Sequence, residues 1–177
     1  DIRFKQGRKF LSEKMYEEAI DIFSSLLQSS VESHGELSVE SAVAYFEYGN
    51  ALLEKEEEKP SDNLLNNVEE EEQDDEQDEK ENPKEAIADK EPAAVENSAN
   101  DENNQQEFDE AEGDIQIAWE SLDTARAILS KNCDSVASKL LLSEVHIRLG
   151  DLMRLNGDSK KCIEEYLFAF EIIKREC

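Results

Sequence analysis

Residues 7–27 read GRKFLSEKMYEEAIDIFSSLL, and residues 150–170 read GDLMRLNGDSKKCIEEYLFAF. Both open on a glycine, with a large apolar residue three positions on (Phe10, Met153) and a small one twelve on (Ala19, Cys162). An aromatic follows at sixteen (Phe23, Tyr166) and an apolar residue at nineteen (Leu26, Ala169). Steps of three and four residues gather these positions on one face of each of two helices. Small residues at matched places let the helix axes approach, and the large ones fill the remaining gap. A unit that recurs at fixed offsets cannot bury its apolar face alone and is expected to stack on its copies.

A third copy starts at Gly49, with Tyr45 and Tyr48 before it and Leu52 after it. Its second helix is due twelve residues later, but the chain there enters an acidic stretch. The missing half resumes at residues 115–129, IQIAWESLDTARAIL, where Ala118, Leu122 and Ala125 restore the small, large, small order. The spacing resembles the tetratricopeptide repeat. It predicts an all-α fold, a helical solenoid of three repeats in one domain over residues 1–177: repeat 1 at 1–33, repeat 2 at 42–56 plus 114–132, and repeat 3 at 143–177. An interruption between two helices is tolerable, because loop closure costs only about 0.6 kcal/mol per doubling of length.

The interrupting residues, 57–113, hold 23 acidic side chains against four lysines, so −19 of the net charge of −26 belongs to them. All three prolines (Pro60, Pro83, Pro92) fall there, with Phe108 as the one aromatic. Such a composition buries too little apolar surface to offset chain entropy, and the stretch is expected to be disordered apart from a short helix near Leu64 and Leu65. Its centre carries Glu69, Glu70, Glu71, Glu72, Asp74, Asp75, Glu76, Asp78, Glu79 and Glu81. A flexible polyanion attracts lysine- and arginine-rich partners over a Debye length without a fixed geometry, and it repels nucleic-acid phosphate. The bland alternative is a solubilising linker.

Two further stretches carry a resemblance to a family. Residues 34–54 read HGELSVESAVAYFEYGNALLE, with Gly35, Glu36, Phe46, Tyr48, Gly49, Leu52, Leu53 and Glu54. Beyond the acidic stretch stand Ala118, Trp119, Leu122, Asp123 and Ala125. An array of tetratricopeptide repeats whose second member is split by an acidic tract resembles the histone chaperone family that includes nuclear autoantigenic sperm protein. The resemblance covers nearly the whole chain and departs from the family in a shorter insertion and a missing fourth repeat. It implies a binding protein whose clients are histone three, alone or paired with histone four, and linker histone as an additional client. It also implies a role in storage, transport or nucleosome assembly, and a nuclear location with room for a cytoplasmic pool.

In that architecture the first helices line a concave groove. Alignment on the three glycines points Arg8, Phe46, Asn50, Glu54, Glu144, Ile147 and Asp151 towards it. Glu54, Glu144 and Asp151 are expected to pair with basic client groups, and Phe46 and Ile147 to supply apolar contact. With no fourth repeat, Phe168, Phe170, Ile172 and Ile173 of the last helix are expected to lack cover and to favour self-association. Trp119 is read as core.

Other functions find little support in these residues. No nucleophile elbow, glycine-rich phosphate loop or paired-carboxylate site points to an enzyme, and no catalytic residue or cofactor is expected. Cys133, Cys162 and Cys177 are widely spaced, the acidic stretch lacks the loop glycine of a calcium site, and His34 and His146 have no ligands at metal spacing, so no metal is expected. No apolar run approaches the roughly 20 residues of a membrane span. The opening at Asp1 is read as a piece cut from a longer protein. The rival is a tetratricopeptide adaptor that clamps a carboxylate tail with lysines and arginines, its insert a passive linker; Arg8 and Arg154 are few for that purpose. A structural subunit of a larger assembly is a third reading.

Overall fold

Apolar residues at helical spacing, with turn residues only between the runs, fold here as helices. The computed structural model describes the backbone of residues 2–59 and 101–176 and the side chains of residues 2–59 and 113–176. Six helices follow in order among them: α1 (Ile2–Ser12), α2 (Tyr16–His34), α3 (Val39–Glu58), α4 (Asp101–Lys131), α5 (Val136–Leu155) and α6 (Ser159–Glu176). The chain is all-α as expected, with no strand among the described residues. One unit comprises residues 1–59 and 107–177, and residues 60–106 fall outside it.

Local chemistry fixes the ends of these helices. Ser38 and Ser135 each accept the backbone N–H three residues on, from Ser41 and Ser138 at 3.0 Å. Each thereby caps an orphan donor at the start of α3 or α5. The α1–α2 turn has its left-handed residue at Lys14 (φ 60°), and the α5–α6 turn has Gly157 (φ 74°). Both stand seven residues after the glycine that opens their unit, so the two hairpins share a turn as well as a spacing.

Close helix approach at the three glycines sets the packing. A Cβ built on Gly7 would lie 2.5 Å from the Phe23 ring, and one on Gly150 would lie 2.5 Å from the Tyr166 ring. At Gly49 it would meet Leu122 Cγ at 3.0 Å and the Ala118 carbonyl oxygen at 3.1 Å. So α4 closes on α3 as α2 closes on α1 and α6 on α5, despite the acidic residues between. Lys55 ties this join, with its ammonium 2.8 Å from both Glu17 and Asp114. Burial opposes that charge, but the two carboxylates outweigh it and raise the Lys55 pKa above the ordinary lysine value.

Two apolar clusters result. Leu11, Ala19, Phe23, Leu26 and Ala51 join α1 and α2 to α3. Leu52 and Leu53 of α3, Leu122, Ala125 and Leu129 of α4, and Val145, Leu149 and Leu152 of α5 form the other.

The helices reach past the repeat limits set by spacing. α3 runs to Glu58 and α4 starts at Asp101, so residues 57–58 and 101–113 of the stretch expected to be irregular are helical. Glutamate, glutamine and alanine are good helix formers, and extending an existing helix requires no new nucleus. Likewise α5 starts at Val136 instead of near 143, because Ser135 caps it there. The capture residues between Glu69 and Glu81, and the short helix expected near Leu64, lie outside the described residues. Trp119 corrects the expectation of a core residue: it is 38% exposed. Ala118, Leu122, Ala125 and Leu129 fill the inward face of α4, and Trp119 falls about 100° around the helix from Ala118. On α6, Phe168, Phe170 and Ile173 are exposed, together with Ile163 and Leu167, whereas Ile172 packs against the larger cluster.

If the crossing glycines set the packing, methyl groups there and elsewhere should act oppositely. Gly7→Ala is expected to destabilise by about 1–3 kcal/mol through overpacking against Phe23. Gly113→Ala, in helix with nothing within 4 Å, should stabilise by about 0.5–1 kcal/mol. Urea unfolding of the two variants checks this, and equal responses would contradict it.

Candidate binding cleft

A stack of hairpins leaves the first helix of each facing a common side, and α1, α3 and α5 enclose a cleft of about 580 Å³ there. Arg8, Leu11 and Ser12 enter from α1, Phe46, Glu47, Asn50 and Glu54 from α3, and Glu144, Ile147 and Arg148 from α5. Four-residue spacing aligns Phe46, Asn50 and Glu54 along one stripe of α3. Six of the seven groove residues named from sequence therefore line this cleft. Asp151 is beside it instead, accepting the Tyr166 hydroxyl at 2.7 Å and Arg148 Nη1 at 3.1 Å. The Gly150–Tyr166 crossing brings α6 against this part of α5 and so engages the neighbouring carboxylate. Burial, then the hydrogen bond to Asp151, pushes the Tyr166 phenol up to about 12.

The polar interior of the cleft has a definite wiring. Arg8 Nε donates to Glu47 Oε1 at 2.8 Å, and Nη2 bonds the same oxygen. Glu47 is the sequestered member, its side chain 3% exposed against 63% for Arg8. Burial pushes the Glu47 carboxyl above the usual carboxylate range, Arg8 pulls it back, and Glu144 and Glu54 add to the upward push. Arg148 reaches across from α5 to Glu54 at 2.9 Å and Glu57 at 3.4 Å while holding Asp151, and Arg154 joins Glu57 at 2.8 Å. Asn50 donates Nδ2 to Glu54 at 3.0 Å. Its Oδ1 is buried without a donor among the described residues. Glu144 is exposed and has no hydrogen bond or ion-pair partner among the described residues.

Spacing alone missed Glu47, Glu57 and Arg148. Glu47 and Arg148 each neighbour a groove position by one residue, and only the three-dimensional pairing distinguishes them from solvated charges. His146 is structural: it is 8% exposed, with Nδ1 2.6 Å from Glu165. Among the described residues no group of three or more potential metal ligands comes together, and no helix is long and apolar enough to cross a membrane.

No protein-family model matches the chain. A curated relative does: the NASP-related protein sim3 of Schizosaccharomyces pombe is 29% identical over 189 residues, an alignment covering 96% of this chain and 47% of that protein. The chain is thus a distant relative of a NASP-related protein and spans about half its length.

Opposed forces on Glu47 yield a pH signature. With its folded pKa raised, the folded state holds a proton where the unfolded chain has lost it. Stability from this group is therefore present below the unfolded pKa and lost as pH rises through the folded value. Glu47→Gln, which mimics the neutral acid, should become progressively more favourable relative to the native chain as pH rises above the ordinary carboxylate range. Thermal unfolding at rising pH tests it. A difference that shrinks with pH would mean the Arg8 pair outweighs burial.

Proposed function

We propose that this chain is a histone chaperone: the acidic stretch attracts basic histone surface, and the cleft of α1, α3 and α5 recognises a defined segment of histone three, alone or paired with histone four. Linker histone is a secondary client of the polyanion. The observation that carries this reading is the charge state of the cleft. Its arginines are already engaged, Arg8 by Glu47 and Arg148 by Glu54 and Asp151, while Glu144 has no hydrogen bond or ion pair among the described residues. A cleft that has neutralised its own cations and kept an acid in reserve suits a basic client and offers an adaptor's carboxylate tail nothing to grip. Phe46, Leu11 and Ile147 add apolar contact on the same walls. The distant relationship to a NASP-related protein points the same way.

The work is binding and release, with no turnover or cofactor. A nuclear location with a cytoplasmic pool fits a protein that carries histones to chromatin. The tract supplies rate and the cleft supplies choice, because long-range attraction between charges governs association while shielded contacts govern dissociation.

Binding of the purified histone three–four pair and of linker histone, followed by surface plasmon resonance at several salt concentrations, separates these contributions. Deleting residues 69–81 should slow association and flatten the salt dependence while preserving the preference among histones. Glu144→Lys should accelerate dissociation and weaken the histone three–four complex by on the order of 2 kcal/mol. Unchanged affinity in Glu144→Lys, with binding abolished by the deletion alone, would remove recognition from the cleft.

A further inference from the structure

Three acceptors meet in the cleft without a settled set of donors. Glu47 is nearly sealed from solvent, yet its cation among the described residues is a side chain 63% exposed and anchored on a different helix. Asn50 is 8% exposed, and Glu54 fixes its amide orientation by accepting from Nδ2, so Oδ1 meets no donor among the described residues. A buried acceptor left this way costs about 1–3 kcal/mol, which a ligand's N–H would recover. Glu144, the third, faces the same cleft from α5 and is close enough to act on the titration of both Arg8 and Glu47.

We propose that Glu47, Asn50 and Glu144 form a receptor for one arginine side chain of the basic client, and that Arg8 is its resident stand-in, displaced when the client's guanidinium enters. The inference rests on the chaperone reading, which supplies the basic client. Arginine fits better than lysine on donor count and shape. A guanidinium carries five N–H donors in a planar fork, enough to serve the Glu47 carboxylate, the Asn50 amide oxygen and Glu144 together. An ammonium is a compact point charge with three donors and retains its water more strongly. Arg8 already shows the approach, placing Nε and Nη2 on one oxygen of Glu47. Its exposure leaves it room to swing into solvent at the modest cost of a partly exposed ion pair. Filling the site in the free state also spares the chain an unpaired buried carboxylate.

A resident stand-in is a reason for a basic residue to stand in a cleft meant for basic partners. A client without a well-placed arginine gains little by evicting Arg8, so the stand-in raises the threshold against generic cations drawn in by the acidic stretch. Leu11 and Phe46, on the same walls, favour an arginine flanked by an apolar residue.

The test follows the Arg8 Nε–H resonance of the intact chain by nitrogen-15 NMR as the purified histone three–four pair is added to saturation. The paired signal should be lost as the complex forms. In parallel, Arg8→Gln should bind the pair about two- to fivefold tighter, since no ion pair need be broken. Glu47→Gln should bind it at least about tenfold more weakly. Replacing client arginines by lysine should erase the advantage of Arg8→Gln. A native chain that fails to bind the pair overturns the chaperone reading and this inference together. Binding with the Arg8 signal unchanged, or an Arg8→Gln variant that binds no better, overturns the stand-in alone. The resonance in the native chain decides the matter even if a variant folds poorly.

Discussion

The rest of this structure depends on three places where a helix lacks a side chain so that a neighbour can press against its backbone. Gly7 admits Phe23, Gly49 admits Leu122 and Gly150 admits Tyr166. Sixteen residues separate the partners in the outer pairs, and seventy-three in the middle one. The same contact forms in all three. What a hairpin needs is the match between its facing surfaces, and the length of chain joining them enters only logarithmically. This is how the protein can carry a polyanion in the middle of a helix pair, with Lys55 holding α2, α3 and α4 together at the base of the interruption.

The contact rule was legible in the sequence because it is written in residue size at fixed offsets. Ala19, Phe23, Ala118, Leu122 and Ala169, all picked out by spacing, are almost wholly buried. The candidate cleft was legible for the same reason: aligning the glycines aligns the first helices. What spacing could not reveal was pairing. Arg148 meets Glu54 across 94 positions of sequence, and nothing local distinguishes it from a surface arginine. Asp151 had the right register, but the adjacent glycine crossing gives its carboxylate to Tyr166 and Arg148. Trp119 stands in the pattern of the second helix beside Ala118, but small residues and leucines occupy the inward face of α4 and leave it 38% exposed.

Charge is segregated in a way that gives the two binding elements separate duties. Along the cleft, carboxylates and arginines from different helices neutralise one another and fix the walls, leaving Glu144 and the Asn50 carbonyl without hydrogen-bond donors among the described residues. The excess negative charge belongs mostly to residues 57–113, where it needs no fixed geometry to act. Of the exposed apolar residues of α6, Ile163, Leu167 and Phe170 share a side of the helix distinct from that of the buried Cys162 and Ala169.

The central claim is that α3 and α4 are one hairpin whose closure owes nothing to the acidic residues between them. Lys55 and Asp114 place the two helices level, so the ends at residues 59 and 110 can be joined by a turn of about four residues, each spanning roughly 3.3 Å. The decisive measurement is urea unfolding of a chain in which residues 60–109 are replaced by such a turn. The account predicts a single cooperative transition and a gain of about 2 kcal/mol, from several halvings of loop length at about 0.6 kcal/mol each. Loss of cooperativity, or a chain markedly less stable than the native one, would show that the acidic residues help to build the fold and would contradict it.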